Sequence, residues 1–244
     1  MVTIDIKKST IIFGLVLLAL GYFVGNVLPI AENNAKSQSG YGIITSTIGG
    51  DQSSQKKIQE SVNFDIPTFA KFRGSDSAAV NLVEFGDYQC PFCKRFFDQT
   101  EPQLTQEYVD TGKAKFYFLD VSIVGDDSIT LGQGAWCADE QEKYYEYHDY
   151  MYSNQGKENT GWGTPDKVKD LVKGIADLDV EEFSACLDSK KYESRNQQLT
   201  KFSNQLGLTG TPTMFVGNSK MGYTKITGAQ PYSSFKQIIV TYLQ

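Results

Sequence analysis

The pair of cysteines in Cys90-Pro91-Phe92-Cys93 falls where an extended pattern gives way to a helical one, and that placement constrains the fold of this 244-residue chain more than any other feature. Upstream, Ala79–Phe85 (AVNLVEF) is a short run of β-branched and aromatic residues, bounded by Ser75-Asp76 on one side and Gly86-Asp87 on the other. It reads as a buried strand. Pro91 suits the first helical position, and Phe92, Phe96, Phe97, Leu104, Tyr108 and Val109 recur mostly at three- and four-residue spacings. A helix is therefore expected from Pro91 to about Asp110. Lys115–Val121 (KFYFLDV) supplies a second strand. Strand, helix and strand in that order make a βαβ unit with parallel strands and a right-handed crossover.

A CxxC between strand and helix inside such a unit is a redox signature with specific physical reasons. Cys90 would sit at the helix N-cap, where free backbone N–H groups and the positive end of the dipole favour a thiolate. Cys93, one turn further on, would lie on the same face and deeper, within reach of a disulfide to Cys90 or of a mixed disulfide formed there. Lys94 and Arg95 would add positive field or simply point to solvent. The competing reading is half of a zinc site, which would need Cys137 and Cys186 as the other half. These two stand 49 residues apart and form no second CxxC knuckle, so no metal is expected.

The remainder of the chain divides by pattern. Ile11–Ile30 is an uncharged run of twenty residues with one amide, Asn26, long enough to cross a bilayer as a helix. Lys7 and Lys8 precede it and Glu32 follows, so the positive-inside bias puts residues 1–10 in the cytoplasm and everything after residue 30 outside. A cleaved signal would show a shorter apolar core and a small-x-small site; Pro29 and Ile30 at the exit favour an uncleaved single-pass anchor in the cell membrane. Residues 31–62, rich in Ser, Gly, Asn and Gln, read as a flexible tether spanning about 30 Å. The folded domain is expected over 63–244. Within it, about 126–206 is helical throughout, with patterns over Leu131–Gln155, Pro165–Ile175, Glu181–Leu187 and Tyr192–Leu206. Thr213–Val216 and Tyr223–Thr227 return to strands around a Gly217-Asn218 turn, and Tyr232 to Leu243 marks a last amphipathic helix. The fold class is α/β, βαβ followed by an all-helical insertion and ββα. The net charge of −6 excludes a basic nucleic-acid binder, and the single histidine, His148, excludes any site needing two.

Four separated segments, VNLVEFGDYQCPFCKRFF, AWCADEQEKYYEYHD, FSACLDSKKY and GLTGTPTMFVGN, together resemble the DsbA-like thiol–disulfide oxidoreductases, from about residue 63 to the C-terminus. The resemblance implies a thioredoxin fold interrupted by a helical domain and no cofactor. It implies that Thr211-Pro212 forms a cis-proline loop facing the dithiol, where Thr211 can pair with an extended substrate chain; an ordinary trans proline starting an edge strand is the alternative. It also matches Glu84, six residues before Cys90, to an acidic residue beneath the active site that relays the proton of Cys93. A half-exposed strand glutamate is the alternative there. Strongly oxidising members carry a histidine between the cysteines, where this chain has Phe92, so a very oxidising potential does not follow.

Cys137 and Cys186 coincide with cysteines of relatives in this group, and an even number outside the cytoplasm points to a pair, against two separate buried thiols or a second redox pair. His148, in the tyrosine-rich run 144–152, reads as a structural core histidine, and Trp162 as a loop anchor. The function expected is transfer of the Cys90–Cys93 disulfide to reduced or unfolded proteins outside the cytoplasm. Reoxidation would come from a membrane partner of the DsbB or vitamin K epoxide reductase type. Isomerisation or reduction, and a non-catalytic anchored binding module, are the alternatives.

Overall fold

The protein is described by a computed structural model over residues 61–244. The expected cytoplasmic stretch 1–10, membrane span 11–30 and nearly all of the tether 31–62 lie outside these residues. Among the described residues no helix is long and apolar enough to cross a membrane.

Six strands form one sheet: β1 (Ser61–Val62), β2 (Phe72–Gly74), β3 (Val80–Gly86), β4 (Ala114–Asp120), β5 (Thr213–Asn218) and β6 (Gly222–Thr227), in the order β1-β6-β5-β3-β4-β2. Only β3 and β4, the strands of the βαβ unit, run parallel; every other neighbouring pair is antiparallel. The two central strands are nearly all buried, which is why β3 reads as an apolar run and not as an alternation. β1 pairs with β6 through Ser61 and Val62, so the sheet already includes two residues ahead of Asn63, where the folded domain was expected to begin. β2 was not expected: Phe72-Arg73-Gly74 is too short to carry a period, and only its pairing with β4 makes it a strand.

The expected helix Pro91–Asp110 is three segments: α1 (Pro91–Gln99), α2 (Glu101–Leu104) and a π-helical turn at Thr105–Val109. Pro102 is the reason, because its ring clashes with the carbonyl four residues back and it offers no N–H to continue α1. Thr100 at the break donates its hydroxyl to the Gln230 carbonyl, 2.9 Å away, which ties the break to the C-terminal part of the chain. The insertion holds five helices, α3 (Asp126–Asp139), α4 (Tyr144–Ser153), α5 (Pro165–Leu171), α6 (Val180–Asp188) and α7 (Glu193–Gln205). The single pattern read over Leu131–Gln155 is thus two helices, with Glu142 in the left-handed region (φ 60°) between them. The turn expected at Gly217-Asn218 lies at 219–221 instead. The Asn218 side chain accepts from the amides of Lys220 and Met221 at 3.0 Å, and Gly222 takes φ 79°. The last helix, α8 (Tyr232–Tyr242), packs Phe235 on Phe96 of α1 at 5.6 Å between ring centroids.

Candidate active site

Cys90 is the N-cap of α1 with an extended backbone (φ −71°, ψ 119°), Pro91 follows at the first helical position, and Cys93 is fully buried one turn inside. The loop from β3 into this helix is fixed by Asp87. Its carboxylate accepts from the Gln89 amide (2.8 Å), the Ser128 hydroxyl (2.7 Å) and the Ile123 and Val124 amides (2.9 Å each). Gln155, beyond α4, donates to the carbonyls of Tyr88 (2.7 Å) and Cys90 (3.1 Å). The helical insertion therefore holds the dithiol loop from outside the βαβ unit. Sequence reasoning missed both residues: Gly86-Asp87 reads as turn punctuation, and nothing local marks Gln155.

The two thiols differ sharply. The Cys90 thiol is lowered to about 6, first by the hydrogen bond from the Cys93 thiol, against burial, then by the Thr211 side chain and the backbone amides of Cys93 and Phe92. Burial pushes the Cys93 thiol well above its ordinary value, and its hydrogen bond to Cys90 and the nearby Glu84 carboxyl push in the same direction. The Thr211–Pro212 peptide bond is cis, and the Thr211 carbonyl lies 3.4 Å from the Cys90 Sγ. Phe92 is 54% exposed, with the Arg95 guanidinium 5.0 Å from its ring centroid. Lys94 is bound to Asp98 at 2.6 Å, so its charge is spent there and not on the thiols.

Glu84 is 1% exposed and neither carboxyl oxygen has a hydrogen-bond partner, which removes the half-exposed alternative. Burial raises its carboxyl well above the ordinary range, and the Glu101 and Cys90 charges raise it further. Glu101, Arg73 and Asp149 stand nearby and carried no sequence signal. Arg73 donates to Glu101 and to both Asp149 oxygens (3.0 and 3.1 Å). Glu101, His148 and Asp149 bring ligand atoms within 4.8 Å of one another, but the Arg73 guanidinium already bonds both carboxylates, so the cluster is an ion pair in place of a cation site. His148 is fully buried, held at about 4 chiefly by that burial, and bonded to Asp149 at 2.7 Å.

Within the insertion, Cys137 of α3 and Cys186 of α6 form a disulfide with 5.7 Å between Cα atoms. Cysteines bonded to each other are not available as thiolate ligands, so the four-cysteine zinc reading fails. Trp162 packs against Gly156, where any Cβ would lie 2.5 Å from the indole.

An N-capping cysteine of lowered thiol, a buried second cysteine and a proline loop against them, on a βαβ–ββα sheet, define a thiol–disulfide oxidoreductase of thioredoxin fold. A family model described as Thioredoxin matches residues 69–240, and the chain belongs to that family. The match is of the DsbA-like kind. The chain is 33% identical over 150 residues to the Bacillus cereus protein named "Probable disulfide bond formation protein D", covering 60% of this chain and 69% of that one. The crystal structure of oxidised BdbD from Bacillus subtilis superposes with a TM-score of 0.65 at 26% identity, covering 71% of this chain and 92% of that one. Chlamydia trachomatis DsbA shares the fold, with a TM-score of 0.62 at 22% identity over 74% of this chain and 96% of its own.

Proposed function

We propose that this oxidoreductase donates the Cys90–Cys93 disulfide to reduced proteins folding outside the cytoplasm. A substrate thiolate attacks the Cys90 Sγ, the Cys90–Cys93 bond breaks, and Cys93 departs with the bonding electrons as a thiolate. Glu84 lends it a proton, so Cys93 becomes a thiol and Glu84 a carboxylate. The second substrate thiolate then attacks the substrate sulfur of the mixed disulfide. Cys90 leaves as a thiolate, the substrate is oxidised by two electrons, and the enzyme is left reduced.

The observation that carries this reading is the asymmetry of the thiols: Cys90, at about 6, is a stable thiolate leaving group at neutral pH, whereas burial keeps Cys93 protonated. The Thr211 carbonyl beside the Cys90 sulfur supports pairing with an extended substrate chain, and exposed Phe92 offers apolar surface to unfolded protein. The relative's name, a disulfide bond formation protein, agrees in kind. Anchoring rests on the uncharged run at 11–30 behind Lys7 and Lys8, which places the domain on the outer face of the cell membrane. Reoxidation then falls to a membrane partner of the DsbB or vitamin K epoxide reductase type.

The test is incubation of the oxidised protein with a reduced, unfolded substrate protein: substrate disulfides should form as Cys90 and Cys93 become reduced, and a Cys93→Ala variant, which cannot hold the Cys90–Cys93 disulfide, should form none. A reduction potential nearer to about −120 mV than to about −270 mV is expected. A potential at the reducing end, or no substrate oxidation by the oxidised protein, would overturn the oxidase reading.

A further inference from the structure

Lys94 is bound to Asp98 at 2.6 Å and Lys236 of α8 to Glu107 at 3.5 Å, whereas Arg95 is exposed and forms no ion pair among the described residues. Its guanidinium is nonetheless held in place. It lies 5.0 Å from the Phe92 ring centroid, and its Nη2 donates to the Ala229 carbonyl at 3.3 Å. The remaining N–H donors are left for another acceptor. That placement links α1 to the cis-proline loop. The Thr211 carbonyl touches the Cys90 sulfur, the Pro212 carbonyl accepts from the Gly228 amide at 2.9 Å, and Ala229 comes next in the chain. Between α1 and α2 on one side and residues 229–233 on the other is a cavity of about 630 Å³, lined by Gln99, Gln103, Gln230, Tyr232 and Ser233 besides Arg95. Arg95 is the one charged residue of that lining. An apolar side chain placed there would strip water from an unpaired guanidinium, and a cation would be repelled. A carboxylate would accept two parallel hydrogen bonds from it.

We propose that Arg95 is a specificity residue of the thiol exchange, selecting substrate chains that carry an aspartate or glutamate within a few residues of the reacting cysteine. The inference rests on the oxidase reading given above and names the substrates that reading leaves open. Along α1 the rise from Cys90 to Arg95 is about 7.5 Å, the span of about two residues of extended chain. A substrate strand paired at Thr211, with its sulfur at Cys90, therefore brings a neighbouring carboxylate within reach of the guanidinium. The bonds and electrons of the exchange are unchanged; the contact only favours the encounter and the mixed disulfide. The selection runs against the net charge of −6 on the whole chain, which repels acidic peptides, so the overall field cannot supply it.

The experiment measures the rate at which the oxidised full-length chain oxidises dithiol peptides whose cysteines are flanked on both sides by glutamate, by glutamine or by lysine. Each rate is divided by that of the same peptide with hydroxyethyl disulfide, which removes the effect of the flanking charge on the peptide thiol itself. At about 10 mM salt the glutamate peptide should react about fivefold faster than the lysine peptide, and the ratio should fall toward one at about 1 M salt. Arg95→Glu should invert the order, and Arg95→Lys should keep it with a smaller ratio. The glutamine peptide should react alike with all three proteins, which shows that the exposed substitutions leave the fold and the dithiol intact. A glutamate-to-lysine ratio near one in the native chain, or a ratio that Arg95→Glu leaves in place, would overturn the inference, while oxidation of the peptides would leave the oxidase reading standing. If no peptide is oxidised, that reading fails and this inference with it.

Discussion

Cys90 is made reactive by a small number of donors, and each has a measurable share. In the reduced protein its alkylation rate should be half-maximal near pH 6, where the thiol titrates, and level off well before a free cysteine would. Cys93→Ala removes the largest donor, so the half-maximum should move upward; a midpoint unchanged by that substitution would show that the helix N-terminus alone sets the thiolate. Phe92→His places a ring N–H and a titratable positive charge at the position next to Cys93 and should lower the Cys90 midpoint further. Both readouts follow iodoacetamide modification against pH. These residues were legible from sequence because the chemistry is local: four consecutive residues and one helix end. Glu84 was legible only through the family resemblance, since alternation in a strand permits either face and its burial is a property of what covers it.

At the scale of elements, the loop between β3 and α1 depends on Asp87 more than on any residue of the CxxC. Asp87→Ala would leave the Gln89, Ile123 and Val124 amides without their acceptor, with Asp87 itself fully buried. The expected cost is at least about 2 kcal/mol, read as a lower urea midpoint at unchanged slope. Cys90 should also lose part of its lowered titration, because the bonds to Asp87 that fix the loop ahead of it are gone. The boundaries that the sequence pattern misplaced have physical causes of the same kind. Pro102 divides one periodic run into two helices, Asn218 moves a turn two residues on by capping amides beyond it, and β2 exists only because β4 offers it an edge. Period and composition are blind to all three, since each is decided by a hydrogen bond or a clash outside the window that sets the pattern.

For the molecule as a whole, the insertion is joined by the Cys137–Cys186 disulfide, which spans 49 residues. Replacing both cysteines by alanine should lower the unfolding free energy by about 4 kcal/mol on the chain-entropy account, measured by urea denaturation. The pH dependence of that free energy should also carry the mark of the buried acids. Glu84, Glu101 and Asp120 all have carboxyls raised by burial, so the folded state holds protons that the unfolded chain releases. Their contribution is full below the ordinary carboxylate range and is lost as pH rises, for Glu101 through about 8. His148, held at about 4, works the other way, its contribution being lost as pH falls below about 6.5. Stability of the oxidised protein, in which Cys90 does not titrate, should therefore fall from pH 6.5 to 8 without opposition. A flat profile there would mean that the buried carboxyls are ionised.

The amino-acid sequence by itself determined the order βαβ, helical insertion, ββα, and the reactive dithiol at a helix start. Those follow from short-range periodicity, from Pro91, and from the chemistry of two cysteines three residues apart. Only the tertiary structure decided that Asp87 and Gln155 hold that helix start, that Cys137 reaches Cys186, and that Glu84 is enclosed with Glu101 and Arg73 beside it. Arg73, Glu84, Glu101 and Asp149 come from two strands and two helices, as many as 76 residues apart. No local pattern can encode how a buried charge is compensated, because the compensation comes from whichever distant groups the packing of the sheet face brings within reach.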